Sequence, residues 1–145
     1  MERITEKREI ALSALRSLQA VIVHIEQQRD WPIAELTSGQ KLDQDRLMAR
    51  DSLIQRFEYT VDAIAKYLKE YMRIRYGAVY QYPKEFIRGL YTARVITEAE
   101  SILLLEMIDD RNMTSHSYLE VVANKIARRI PQYYAAMREV LDKTQ

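Results

Sequence analysis

Residues 45–75, DRLMARDSLIQRFEYTVDAIAKYLKEYMRIR, carry the clearest periodic pattern in the chain and decide its fold. The apolar positions, separated alternately by three and four residues, are Ile54, Phe57, Val61, Ile64, Leu68 and Tyr71. Leu47 extends this stripe seven residues upstream. Such spacing places the side chains along one side of a helix. We therefore expect one long amphipathic helix over residues 45–75.

The preceding and following segments predict two more helices. A first helix is predicted over residues 5–28 by an apolar stripe of the same spacing: Ala11, Leu15, Leu18, Ile22 and Ile25. Residues 31–43 contain Pro32 and Gly39 and lose the periodicity, which indicates a connection with room for a short helical turn. Pro83 suits the first position of a third helix that ends near residue 94.

A capping box marks the start of the fourth helix. The Thr97 hydroxyl can accept a hydrogen bond from the backbone amide of Glu100, and the Glu100 carboxylate can accept one from the backbone amide of Thr97. Residues 102–108 are apolar almost all round, which is typical of a helix enclosed by its neighbours or by a subunit interface. We expect this helix to be the central one.

A second capping box, formed by Ser117 and Glu120, predicts where the chain resumes a helix. Pro131 then either kinks this helix or begins a separate terminal one. The predicted fold class is therefore all-α, an antiparallel bundle of five to six helices.

The composition supports a single domain that spans residues 1–145. Apolar residues make up 48% and charged residues 30% of the chain, with three Gly and three Pro, a mixture that favours long helices. The chain has no cysteine, and no stretch approaches the roughly 20 apolar residues of a membrane span, so we expect a cytoplasmic protein. The net charge of +1 leaves any nucleic-acid contact to a local patch.

Residues 109–118, DDRNMTSHSY, are the richest in groups that donate, accept or titrate. On an unbroken helix Arg111 and His116 would point about 140° apart. If one helix ends near Asn112 and the next begins at Ser117, the turn can bring His116 back toward Arg111. The positive end of the helix dipole would also keep a neighbouring histidine neutral, which suits proton abstraction.

Metal-independent RNA cleavage needs a base for the 2′-hydroxyl, a cation for the charge at phosphorus and a group that holds the phosphate. His116, Arg111 and Asn112 supply these three roles. Arginine and histidine at an interhelical turn are also common as capping and surface groups. Their spacing alone therefore does not establish a site.

The positions of Arg111, His116 and Tyr118 resemble the Arg-x4-His-x-Tyr signature of the HEPN superfamily. The wording Arg-Asn-x-Thr-Ser-His-x-Tyr over residues 111–118 is especially similar to the branch named nucleotidyltransferase substrate-binding proteins, and the helix order agrees over most of the chain. The resemblance implies a HEPN-like four-helix core and a homodimer that packs two copies of the motif into one cleft. It also implies a ribonuclease toxin, neutralised by a minimal nucleotidyltransferase antitoxin.

The same resemblance implies a role for each motif residue. Arg111 and His116 would be catalytic in RNA cleavage, Asn112 would orient the phosphate, and Tyr118 would receive AMP from the partner. A bulky anion on Tyr118 would block an incoming RNA phosphate by repulsion and by volume. No metal or other cofactor is expected. The main rival is a non-catalytic subunit that presents a substrate or nucleotide to the nucleotidyltransferase, and a third alternative is a bundle whose motif merely caps two helices.

Other polar and aromatic groups are weaker candidates for function. His24 has no carboxylate three residues before it, so the Glu-x-x-His pattern of di-iron bundles is absent. A basic rim near the cleft would consist of Lys84, Arg88, Arg94, Lys125, Arg128 and Arg129. An acidic cluster, for which a solvated surface is favoured over Mg²⁺ binding, consists of Glu106, Asp109 and Asp110. We expect tyrosines 76, 80 and 82 to fix a loop onto the bundle rather than to stack on bases.

Overall fold

The computed structural model describes residues 3–28, 31–37, 39–114 and 119–145. The helices within these residues are α1 (Ile4–Gln28), α2 (Gln44–Tyr76), α3 (Pro83–Thr92), α4 (Glu98–Thr114) and α5 (Glu120–Lys143), with a 3-10 turn at Ile33–Glu35 between α1 and α2. The described residues contain no strand, which confirms the all-α helical bundle. None of these helices is long and apolar enough to cross a membrane.

Local signals fix both ends of the longest helix, α2. At its start the Asp43 carboxylate accepts the amide of Arg46 at 2.8 Å and satisfies one of the free donors of the first turn. At its end Gly77 has a φ of 65°, and its amide donates to the Arg73 carbonyl at 3.0 Å. Only glycine adopts that backbone without cost, so α2 stops here. The observed bounds lie within one residue of those predicted from the apolar stripe.

The capping box predicted for α4 is confirmed. The amide of Glu100 donates to the Thr97 hydroxyl at 3.1 Å, and the amide of Thr97 donates to the Glu100 carboxylate at 2.8 Å. The preceding connection, between α3 and α4, contains Arg94, whose φ of 62° lies in the left-handed region. Side chains of the first turn therefore fix where α4 begins, and its far end leads directly into the motif.

The central helix is α2, and the expectation that α4 would be central is wrong. Among the described elements, α2 packs against all four other α-helices, whereas α4 packs against α2, α3 and α5. The apolar run of α4 exceeds what this packing covers: Leu104, Met107 and Ile108 are buried, but Ile102 is 57% exposed. The apolar residues of α4 therefore cover both a buried side and an outward-facing side, and the helix is not fully enclosed.

The start of α5 lies later than predicted, and the separate terminal helix that was one of two alternatives for Pro131 is absent from residues 120–143. Leu119 is the N-cap, with extended backbone, and the helix begins at Glu120, the last residue of the predicted capping box; Ser117, its first residue, lies outside the described residues. Pro131 lies inside α5 and neither ends it nor divides it. Ile130 and Tyr133, on either side of this proline, are completely buried, so core packing holds the helix together where one amide is missing.

Candidate functional site

Arg111 is held on the outer surface of the bundle by two carboxylates of α2. Its Nε lies 3.0 Å from Oδ1 of Asp62 and its Nη2 lies 2.9 Å from Oδ2, a bidentate pair. Its Nη1 lies 3.1 Å from Oε2 of Glu58. Since Glu58 and Asp62 are four residues apart, they face the same side of α2 and together form an acidic clamp around the guanidinium.

Thr114 completes the acidic clamp at the last residue of α4. Its hydroxyl donates to Oε2 of Glu58 at 3.0 Å, and it lies 3.3 Å from Nη1 of Arg111. The hydrogen bonds to Asp62 raise the pKa of Arg111 above its ordinary value, so the guanidinium remains charged. The structure thus places a fixed cation, about one fifth exposed, at the end of α4.

The other motif residues are only partly described. Asn112 follows Arg111 on α4 and is exposed to solvent. His116 and Tyr118 lie outside the described residues, so their predicted roles remain predictions. α4 ends at Thr114 and Leu119 has extended backbone, so no continuous helix joins α4 to α5. Asn112 itself lies inside α4, and residues 115–118 lie outside the described residues, so a helix break that lets Arg111 and His116 converge stays a prediction.

A buried ionic cluster beneath the motif fixes the rotation of α4. Asp110, which is 8% exposed, accepts a hydrogen bond from the Tyr133 hydroxyl at 2.5 Å and one from Nη1 of Arg129 at 3.1 Å. Nη1 of Arg129 also lies 3.2 Å from Glu106. Burial, together with the neighbouring Asp110 carboxylate, raises the pKa of Tyr133, so the phenol stays protonated as a donor. Because Asp110 is thus anchored inward, the adjacent Arg111 is directed toward α2.

A second polar network joins the start of α5 to α2 and to the connection after α1. Arg50, which is 3% exposed, donates to Oδ1 of Asn124 at 2.9 Å and to the carboxylate of Glu120. Asn124 in turn donates to the carbonyl of Gln40 at 3.0 Å. The hydrogen bond from Arg50 lowers the pKa of Glu120. Glu120 therefore binds Arg50, and this contact fixes where α5 starts on the far side of the motif.

Comparison with known proteins assigns the chain to a family. The sequence profile described as nucleotidyltransferase substrate binding protein like matches residues 9–145. The chain belongs to this family. A crystal structure of a protein from Thermus thermophilus is similar to it, with 33% sequence identity and a TM-score of 0.74 over 93% of this chain and 98% of that chain. No curated protein sequence matches the chain.

In this nucleotidyltransferase substrate-binding-like protein, the predicted basic rim is partly neutralised, and Arg94 does not belong to it, because it precedes α4 at the end opposite Arg111. Lys84 pairs with Asp109 at 2.5 Å, and Arg129 pairs with Asp110 of the buried cluster. Of the acidic residues at the end of α4, Glu106 and Asp109 pair with these cations but keep exposed side chains, as predicted for a solvated surface, whereas Asp110 is buried. Among the described residues, no group of three or more His, Cys, Asp or Glu side chains is arranged to hold a metal ion.

The acidic clamp could not be predicted from the sequence. Glu58 and Asp62 lie beside the apolar stripe of α2, where acidic residues four apart also occur as ordinary surface charge. The spacing of four residues indicates that Glu58 and Asp62 share one side of α2. It does not indicate that Arg111, which is 49 residues from Asp62 along the chain, is their partner.

Proposed function

We propose that this protein is the ribonuclease subunit of a two-protein toxin–antitoxin module whose other member is a minimal nucleotidyltransferase. Membership of a family described as nucleotidyltransferase substrate binding protein like supports such a partner. The motif Arg-Asn-x-Thr-Ser-His-x-Tyr over residues 111–118 supports the nuclease activity. A chain free of cysteine is in keeping with action in the cytoplasm.

The proposed reaction is an internal transfer at an RNA phosphate. His116 removes the proton of a ribose 2′-hydroxyl, whose oxygen attacks the adjacent phosphorus. The bond to the 5′-oxygen of the next nucleotide breaks, leaving a 2′,3′-cyclic phosphate and a 5′-hydroxyl that takes up a proton. Arg111 stabilises the negative charge that accumulates on the phosphoryl oxygens, and Asn112 orients them.

The single observation that carries this proposal is the fixed guanidinium of Arg111 in the last turn of α4. A cation whose direction is set before RNA arrives does not have to be reoriented in the transition state. The bidentate contact with Asp62, at 2.9 and 3.0 Å, provides that orientation.

Purified protein incubated with cellular RNA, without the partner and with a chelator present, tests the proposal. We expect cleavage by the wild type and loss of cleavage in Arg111→Ala and in His116→Ala. Arg16→Ala, which removes an exposed arginine from α1, is the matched control and should cleave normally. Intact RNA with the wild type would overturn the nuclease assignment.

Tyr118 is the proposed point of control by the partner. Its hydroxyl oxygen would attack the α-phosphorus of ATP, forming a phosphodiester and releasing pyrophosphate, while the phenolic proton passes to a base. Mass spectrometry after co-expression with the nucleotidyltransferase should find one AMP on Tyr118 and none in Tyr118→Phe. AMP on another residue, or on none, would remove Tyr118 from this role.

The proposed active form is a homodimer with two motif copies in one cleft. Ile102 and Met113 are 57% and 44% exposed and, eleven residues apart, they lie on one side of α4. Leu119 and Val121, at the start of α5, are exposed as well. Apolar side chains exposed along α4 and at the start of α5 fit a subunit interface on this side of the bundle.

A non-catalytic substrate-binding subunit is the second candidate, and the acidic clamp favours it. Two carboxylates already neutralise Arg111, which weakens its attraction for a third anion such as an RNA phosphate. In that case the wild type would not cleave RNA, yet it would stimulate the partner's nucleotidyl transfer. Measuring both activities on one preparation separates the two functions.

A further inference from the structure

A cleft of about 950 Å³ lies at the opposite end of α4 from the motif. It is formed where the end of α2, the connection from α3 to α4 and the end of α5 meet, and we call it the tyrosine cleft. Its chemically distinctive residues are Tyr71, Tyr76, Tyr91, Arg75, Arg94 and Lys143. At 1.5 Å per residue, α4 places it about 20 Å from Arg111. A cavity of this size accommodates a small organic ligand.

The tyrosine cleft has one sign of charge. Of the described residues that line it, three are cations and none is acidic, in a chain of 22 basic and 21 acidic residues. Lys143 is paired with Glu100 at 2.6 Å, but Arg75 and Arg94 make no ion pair with any described carboxylate. The two arginines therefore remain available for an anion, in contrast to Arg111 within the acidic clamp.

The aromatic side chains present both a rigid wall and accessible rings. Tyr71 packs edge-on against Tyr76, with 6.2 Å between ring centroids. The guanidinium of Arg75 lies 5.8 Å from the Tyr76 centroid, so Tyr76 and Arg75 position each other. Tyr76 and Tyr91 remain 44% and 45% exposed. Exposed rings of this kind stack on planar heterocycles with little regard to their identity.

Arg94 occupies a backbone position that ordinarily takes glycine. Beyond the end of α3, the amide of Arg94 donates to the Tyr91 carbonyl and the amide of Val95 donates to the Leu90 carbonyl, both at 2.9 Å, which is the Schellman arrangement. The residue with φ of 62° in this arrangement is Arg94. An arginine at this position is less stable than glycine. Because the Arg94 side chain lines the cleft, a functional role of this side chain would explain why arginine occupies the position in place of glycine.

We propose that the tyrosine cleft binds a free nucleotide, with the base stacked on the exposed tyrosine rings and the phosphates paired with Arg75 and Arg94. Neither the arginines nor the tyrosines by themselves indicate a nucleotide, because cations bind any phosphate and tyrosines bind any planar ring. A nucleotide joins the two chemistries within one molecule of suitable size. The proposal does not depend on RNA cleavage at the motif, since it uses none of the motif residues.

Isothermal titration calorimetry of the full chain with ATP tests the proposal, with adenosine and inorganic pyrophosphate as half-ligands. We expect saturable binding of ATP and much weaker binding of either half-ligand. Arg75→Ala and Arg94→Gly should each weaken ATP binding by about tenfold or more, because each removes a charge-assisted contact. Arg16→Ala removes the same charge from α1 and should bind ATP as the wild type does.

Arg94→Gly separates binding from folding. Glycine suits the left-handed backbone, so this variant should melt no lower than the wild type even though it binds ATP poorly. Several results would overturn the proposal: no binding of ATP, undiminished binding in Arg75→Ala and Arg94→Gly, or pyrophosphate binding as tightly as ATP. Binding of an RNA oligonucleotide without binding of ATP would replace the free nucleotide by a nucleic acid.

Discussion

Asp62 on α2 accepts two hydrogen bonds from Arg111 on α4, at 3.0 Å from Nε and at 2.9 Å from Nη2. This contact fixes the plane of the guanidinium as well as its position, since both oxygens of one carboxylate are engaged. It also places negative charge beside the group proposed to stabilise an RNA phosphate. In the proposed reaction Asp62 would therefore be a positioning residue, which opposes RNA binding by its charge and favours catalysis by orienting Arg111.

Asp62→Asn should separate these two effects. The amide cannot accept both hydrogen bonds, so we expect cleavage at saturating RNA to fall by about tenfold or more as the guanidinium loses its orientation. Loss of a negative charge should leave RNA affinity unchanged or higher. Single-turnover cleavage and RNA binding at several salt concentrations measure both effects.

Asp109→Asn is the control for this experiment, because it removes a carboxylate of α4 that pairs with Lys84 rather than Arg111. It should change neither the rate nor the affinity appreciably. Since Asp62 is largely exposed, Asp62→Asn should lower the free energy of unfolding by less than about 1 kcal/mol. Equal cleavage rates in Asp62→Asn and the wild type would show that orientation of Arg111 by Asp62 is not used in catalysis.

The exposed apolar side of α4 predicts how the proposed homodimer can be broken. Ile102→Glu combined with Met113→Glu would bury two unpaired charges in an apolar interface, at a cost of several kcal/mol. We expect the double variant to sediment as a monomer and the wild type as a dimer. Val79→Glu, at an apolar residue that is 79% exposed in the connection before α3, should remain a dimer. A monomeric wild type, or a double variant that still dimerises, would refute this interface.

Much of the fold could be predicted because its signals are local. The apolar stripe of α2 and the Thr97–Glu100 capping box depend on residues within a few turns of each other. The continuity of α5 through Pro131 is not local, because it depends on core packing around Ile130 and Tyr133. The prediction that α4 is the central helix was wrong for the same reason, since hydrophobicity does not distinguish a helix in the core from one with an exposed apolar side.

The candidate site divides in the same way. The motif is contiguous, so Arg111 and the need for a helix break could be identified from the sequence. Glu58 and Asp62 are 53 and 49 residues from Arg111, and their pairing depends on how α2 and α4 pack. The burial of Arg50 could likewise not be predicted from the sequence, because an arginine beside an apolar stripe ordinarily reaches solvent.

The contact between Arg50 and Glu120 predicts a pH dependence of stability. The pKa of Glu120 is lowered by its hydrogen bond to Arg50, so its contribution is present above the ordinary glutamate pKa of about 4.3 and is lost as the pH falls through the lower folded value. Glu120→Gln should therefore be less stable than the wild type near neutral pH, by under about 1 kcal/mol because Glu120 is largely exposed. The difference should vanish in acid.

Urea denaturation of the two proteins across this pH range provides the measurement. Glu9→Gln, at an exposed glutamate of α1, is the matched control and should follow the wild type throughout. A destabilisation by Glu120→Gln that persists unchanged in acid would mean that it arises from packing and not from the charge of Glu120.

Tyr80 and Gly89 provide a test of how the connection before α3 is fixed. Tyr80 packs on the core, as expected for a tyrosine that fixes a loop, whereas Tyr76 and Tyr82, for which the same was expected, are 44% and 60% exposed. A Cβ at Gly89 would lie 2.9 Å from Cζ of Tyr80 and overlap its hydroxyl. Gly89→Ala should therefore destabilise the protein by about 1 kcal/mol, because crowding outweighs the better helix propensity of alanine. In a Tyr80→Ala background the same change should stabilise by up to about 1 kcal/mol, since only propensity remains. Denaturation of the four proteins in this double-mutant cycle measures the coupling, and a value near zero would show that Tyr80 does not rest against Gly89 in solution.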